Sequence, residues 1–85
     1  MRGYRVLVTI EMLRGPKPSR ASRDRIIRFL ESLEEEPFQP GDYQELDESG
    51  RTLQIKIVGD MALTFWADHA VKEVKVVRME RADRE

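Results

Sequence analysis

The chain has 85 residues, a formal net charge of −1 and no cysteine. That length makes one domain, able to bury roughly 60 to 65% of the surface its unfolded form exposes. The lack of cysteine excludes disulfide bracing and thiolate metal sites and suits a reducing compartment. The near-neutral total conceals a segregation of charge. Residues 1–30 hold 8 Lys/Arg against 2 acids, residues 31–50 hold 8 acids and no cation, and residues 51–85 hold 7 cations against 6 acids. Such asymmetry suits charged partners, and it equally suits a basic helix face lying beside an acidic helix end and loop.

Met1-Arg2-Gly3-Tyr4-Arg5 runs directly into an alternating segment, with neither a long apolar run nor a cleavage-site pattern, so the chain reads as cytoplasmic with no membrane partner. Tyr4, Val6, Val8 and Ile10 alternate with Arg5, Leu7 and Thr9, which predicts a strand over 4–10; Leu7 predicts partial cover on its second face. "EMLRGPKPS" has room for one helical turn before Gly15, Pro16 and Pro18 break it. A long helix follows, capped by Ser19 or Ser22, with Asp24 in its first turn and an apolar stripe of Ile26, Ile27, Leu30 and Leu33 widened by Phe29. Arg23, Arg25, Arg28, Glu31 and Ser32 then face water or a partner, and Pro37 ends the run near Glu36.

In the second half, 43–46 predicts a short strand, "DESGR" a turn, and 52–58 a strand with Leu53, Ile55 and Ile57 on one face and Gln54 and Lys56 on the other. Gly59-Asp60 turns the chain into a strand over 61–68, where Leu63, Phe65 and Ala67 lie opposite Ala62, Thr64 and Trp66. "DHAVKE" turns again and a closing strand runs from Val74 to about Arg81. The expected fold is a single α+β domain over 1–85: an N-terminal strand, a helical portion, then an antiparallel meander of three to four strands with the helix packed on one sheet face.

This order, with a leucine-bearing helix closing at "EEEPF", the run "YQELDESGRTLQIKIVGDMALTFWAD" and a final strand, resembles the RelE/ParE superfamily of bacterial toxins over about Tyr4 to Arg81. The resemblance implies a small toxin held inactive by a cognate antitoxin protein. RelE-like members cleave messenger RNA in the ribosomal A site, and ParE-like members act on DNA gyrase instead. No cofactor or metal is implied.

Cleavage needs the attacking ribose 2′-hydroxyl deprotonated, the charged pentavalent phosphate stabilised and the leaving 5′-oxygen protonated, and cations crowded on one sheet face supply this without metal. Lys56 resembles the basic residue of the RelE-type central strand, and Arg81 the Arg near the end of the last strand; these are the candidate catalytic residues. Gln54 stands where some cleaving members have Lys, Ala62 stands where the family's phosphate-stabilising Arg is expected, and "ADRE" supplies no counterpart to the aromatic or histidine found beyond the final Arg. These departures predict weak or absent ribonuclease activity. Arg78, Gln54, Trp66, Arg23 and Arg28 are candidates for RNA or partner contact.

Each has a plainer role available: Lys56 as a solvated strand residue, Arg78 and Arg81 as cations keeping an edge strand soluble, Trp66 as ordinary packing, and Arg23 and Arg28 as a solvated helix face. His69 reads as a surface turn residue. A non-catalytic protein-binding module, using an alternating sheet face with Trp66, is the alternative from another class. Strong salt-dependent RNA binding separates the first reading from the second, and strand register is a further question. A two-residue turn at Gly59-Asp60 would pair Lys56 with Leu63, against the apolar pattern, so a bulge near Val58 is expected to bring Lys56 to the Ala62, Thr64 and Trp66 side.

Overall fold

Thr9, expected within the first strand, instead ends it. Its hydroxyl accepts a hydrogen bond from Met12 N at 3.2 Å and caps a short helix, so Ile10 is helical. In the computed structural model, which describes residues 3–82, the elements are β1 (Arg5–Val8), α1 (Ile10–Arg14), α2 (Arg20–Glu35), β2 (Tyr43–Leu46), β3 (Thr52–Val58), β4 (Met61–Asp68) and β5 (Glu73–Arg81). Ser19, not Ser22, caps α2, its hydroxyl accepting from Ser22 N at 3.2 Å. Ser22 is buried instead, and its hydroxyl accepts from Asp60 N at 3.1 Å, tying the start of α2 to the β3–β4 turn. Gly59 in that turn has φ +62°, and a Cβ there would collide with the Ser22 hydroxyl, so two independent constraints select glycine.

The sheet has five strands in the order β1-β5-β4-β3-β2. β2 to β5 form the expected antiparallel meander, while β1 joins β5 in parallel through pairs such as Val6 with Val74 and Val8 with Val76. Helices α1 and α2 supply the crossover between β1 and the meander. β5 is therefore interior, contrary to its reading as an edge strand. Beyond Val76 its free side is met by α1: Thr9 Oγ1 donates to Val77 O at 3.1 Å, and Gly15 packs against Met79 O.

The core lies between α2 and one face of the sheet. Leu33, Met61, Leu63, Val74 and Val76 are fully buried there, and Phe29 meets Phe65 edge-on with ring centroids 5.5 Å apart. Ile26, Phe29 and Leu33 form the buried stripe of α2, and Leu30 borders it. Ile27, assigned to that stripe from its spacing, is 47% exposed because its position lies one residue round the helix from Ile26. Leu7 is 41% exposed on the other side of the sheet, which no helix covers. Among the described residues, no helix is long and apolar enough to cross a membrane.

Candidate functional site

Cross-strand pairing settles which side chains share a face. Gly59-Asp60 is a simple two-residue turn: Val58 pairs with Met61, Lys56 with Leu63 and Gln54 with Phe65. The expected bulge near Val58 is not formed. The bulge sits between β4 and β5 instead, where Thr64 pairs with Arg78 but Phe65 with Val76, leaving Val77 as the extra residue. Lys56 and Gln54 consequently lie on the helix side of the sheet, and Leu53, Ile55 and Ile57 lie on the uncovered side. The physical reason is that β4 and β5 dominate the covered face. With Leu63, Phe65, Val74 and Val76 committed to α2, in-register pairing carries Lys56 to their side.

On that side neither Lys56 nor Gln54 is free. Lys56 Nζ lies 3.7 Å from Asp42 Oδ1. The Gln54 Oε1 accepts from Gly41 N at 2.8 Å and from Gln44 Nε2 at 2.9 Å, fastening the α2–β2 loop and β2 to β3. Arg81, paired across from Met61, lies at the far end of β5 with Nη1 3.8 Å from Asp60 Oδ2. Lys56 and Arg81 thus flank β4 from β3 and β5, each beside its own carboxylate. Replacing Gln54 by Lys is expected to cost about 1–2 kcal/mol by leaving Gly41 N without its acceptor, and to add no phosphate affinity on the open face. Urea unfolding and phosphate titration check the two halves of that expectation.

The open face is concave and organised around Arg78 and Trp66. Arg78 Nη2 donates to Glu45 Oε2 at 2.9 Å and reaches Thr64 Oγ1 at 3.4 Å, while its Nε lies 2.6 Å from Glu80 Oε2. The bond from Glu45 and the further charge of Glu80 hold the guanidinium above its ordinary pKa, against some desolvation. Glu45 stands on edge strand β2, three strands from Arg78, a separation of about 14 Å in a flat sheet. The contact closes because the sheet curls. It crosses the face as a latch between depressions of about 580 Å³, bordered by Leu46, Asp47, Arg51 and Leu53, and about 210 Å³, bordered by Tyr43, Ile55, Ile57 and Ala62.

Trp66 is covered rather than offered. The Arg51 guanidinium carbon sits 3.9 Å from its ring centroid and Lys75 Nζ 5.2 Å away. Both cations are held in turn: Arg51 by Asp47 at 3.0 Å and Lys75 by Asp68 at 3.0 Å. The Lys75 bond is the chief cause holding Asp68 below the usual carboxylate range, and the Ser49 hydroxyl is the chief cause for Asp47.

The envisaged crowd of cations on one face is therefore divided. Arg78 and Trp66 occupy the open side, whereas Lys56, Gln54 and Arg81 occupy the helix side. Arg23 and Arg28 project from the exposed surface of α2. His69 is exposed, as read from sequence, but it also stacks on Phe38 at 5.0 Å and its Nδ1 lies 3.3 Å from the Tyr4 hydroxyl. The acids Asp42, Glu45, Asp60 and Glu80 were not identified from sequence as elements of the site. Glu80 had a visible signal, two residues from Arg78 on one strand face; Glu45 had none, since its partner is 33 residues away. Asp83, Arg84 and Glu85 of "ADRE" lie outside the described residues. Among the described residues, no cluster of His, Asp and Glu has the arrangement to hold a metal ion.

A parallel β1 reached through a helical crossover, a four-strand antiparallel meander, and a concave face left bare together define the RelE-like α+β fold. No family model matches the chain, and no curated protein matches it. Among solved structures it is similar to a chain of the archaeal RelE–RelB complex from Pyrococcus horikoshii OT3, with a TM-score of 0.75 and 19% identity, over 98% of this chain and 99% of that one. At that identity the likeness establishes the shared fold.

Proposed function

We propose that the chain is the toxin of a RelE-like toxin–antitoxin pair, held by a cognate antitoxin protein and acting on translation in the cytoplasm. The observation that supports this is the end-to-end likeness of fold to a chain found in a RelE–RelB complex. In ribosome-dependent cleavage of message by such a fold, Lys56 would exchange the proton of the 2′-hydroxyl and Arg81 would hold the phosphate oxygens. Here Asp42 and Asp60 occupy those two cations, Gln54 is committed to the loop, and Ala62 offers no charge. The aromatic or histidine that cleaving members carry beyond the final Arg, as a source of the leaving-group proton, has no counterpart in "ADRE". Cleavage is accordingly weak or absent, and inhibition follows from occupying the target.

The test is tightly controlled induction with growth and labelled amino-acid incorporation followed together. The expected result is an early fall in incorporation, relieved by co-expressing a small acidic protein from the adjacent reading frame. Growth arrest with incorporation at first intact would move the target to DNA gyrase. A folded chain that leaves growth untouched would overturn the toxin assignment in favour of a protein-binding module.

A further inference from the structure

One flank of α2 carries a charge pattern that its own chain leaves incomplete. Arg20, Arg23, Ile27, Glu31 and Glu34 follow one another at spacings of 3, 4, 4 and 3 residues, so they form one stripe along the helix. The stripe is turned about 130° from the buried positions Ile26, Phe29 and Leu33. It is symmetric in position about Ile27 and opposite in charge, with two cations on one side and two acids on the other. Arg20, Arg23 and Glu31 are exposed, and none of the three has an ion pair or side-chain hydrogen bond among the described residues. The centre is apolar. Ile27 is 47% exposed, and with Val6, Val8 and Leu30 it lines a groove of about 230 Å³ between α2 and β1. Ile10 and Leu13 of α1, also exposed, add apolar surface at the sheet edge where β1 ends.

From this pattern we infer that the 20–34 flank of α2 is a self-complementary interface, on which a second copy of the chain docks with its α2 antiparallel to the first. A two-fold axis beside Ile27 sets Arg23 of each copy opposite Glu31 of the other, and Arg20 opposite Glu34. Glu34 already has a partner in its own chain, so Arg23 and Glu31 are the pair that a second copy most directly completes. Ile27 of each copy enters the groove of the other and supplies the apolar centre that a protein interface needs. A parallel arrangement would set like charges together. A polyanion fits less well, because Glu31 and Glu34 stand on the same stripe as the arginines, and a uniformly acidic protein would match only half of it. One helix flank and one groove make a small interface, below the range of about 1,200–2,000 Å² of stable complexes, so association is weak, with a Kd of about 10–100 µM. Dimer formation is independent of the toxin reading.

The test is sedimentation equilibrium of the full chain from about 1 to about 500 µM. The expected result is a 10.0 kDa monomer giving way to a dimer as concentration rises. Arg23→Glu and Glu31→Arg each set like charges opposite one another at two places and should weaken the dimer about tenfold; the double swap Arg23→Glu/Glu31→Arg should return it to within about threefold of the parent. Arg25→Glu, on the other flank of α2, should stay within about twofold. Because the chain has no cysteine, Ile27→Cys places a lone thiol at the axis and should give a disulfide-linked dimer with oxidised glutathione, whereas Arg25→Cys should not. A parent monomeric across the whole range, a dimer that the single reversals leave intact, or a double swap that restores nothing would each overturn the inference. A parent that binds RNA or an acidic protein through Arg23 without forming a dimer would also overturn it and give the flank to that other occupant.

Discussion

Replacing Phe65 by Ala is expected to lower the unfolding free energy by about 3–5 kcal/mol. At 1% exposure the ring lies between Phe29 of α2 and the paired positions Gln54 and Val76, immediately beside the bulge where β4 changes register against β5. Truncation leaves a cavity that these neighbours fill only in part, because α2 is anchored at its other end by the Ser22–Asp60 bond. A domain of 85 residues has a total stability of about 4–13 kcal/mol, so the variant loses a large share of it. Urea unfolding of parent and variant measures the difference directly. A loss under about 1 kcal/mol would mean that Phe65 is not the ring that seats α2 on the sheet.

The second large effect concerns the latch across the concave face. Glu45→Gln/Glu80→Gln removes both negative charges from Arg78 and leaves the guanidinium on the open face with only neutral acceptors, the two amides and Thr64, beside it. A freed arginine engages a phosphate through charge-assisted bonds, so binding of a short single-stranded RNA should tighten by about tenfold, close to 1.4 kcal/mol. Adding Arg78→Ala to the same background should abolish the gain. If the double variant binds no tighter than the parent, the acids do not compete with an anion for Arg78, and the latch is a structural strap alone. A gain that survives Arg78→Ala would trace to overall charge and not to this site.

Both predictions bear on how function is divided over the molecule. A sheet face whose cations are already matched by acids has little to offer an incoming phosphate, while the helical layer carries unmatched charge. The departures seen in sequence at Gln54 and Ala62 agree with this division: one residue serves as an acceptor for the α2–β2 loop, and the other is a small side chain between Ile57 and Glu80.

Much of the architecture was legible without coordinates. The order of elements, the turn at Gly59-Asp60, the limits of α2 and the sharing of a face by Leu53, Ile55 and Ile57 follow from local rules of periodicity, capping and turn chemistry, each acting over a few residues. The segregation of charge was also plain, including the run of arginines through 20–28. What the tertiary structure alone decided was which face of the sheet is covered. Alternation tells which residues lie together, yet both faces of β3 carried some claim to burial. The claim was settled by β4 and β5, whose Leu63, Phe65, Val74 and Val76 face α2 and bring Lys56 with them. The parallel pairing of β1 with β5, the bulge at Val77 and the Glu45–Arg78 latch likewise join segments far apart in the chain. Such contacts depend on how the whole sheet twists and closes, a property of the assembled strands that no short window of sequence contains.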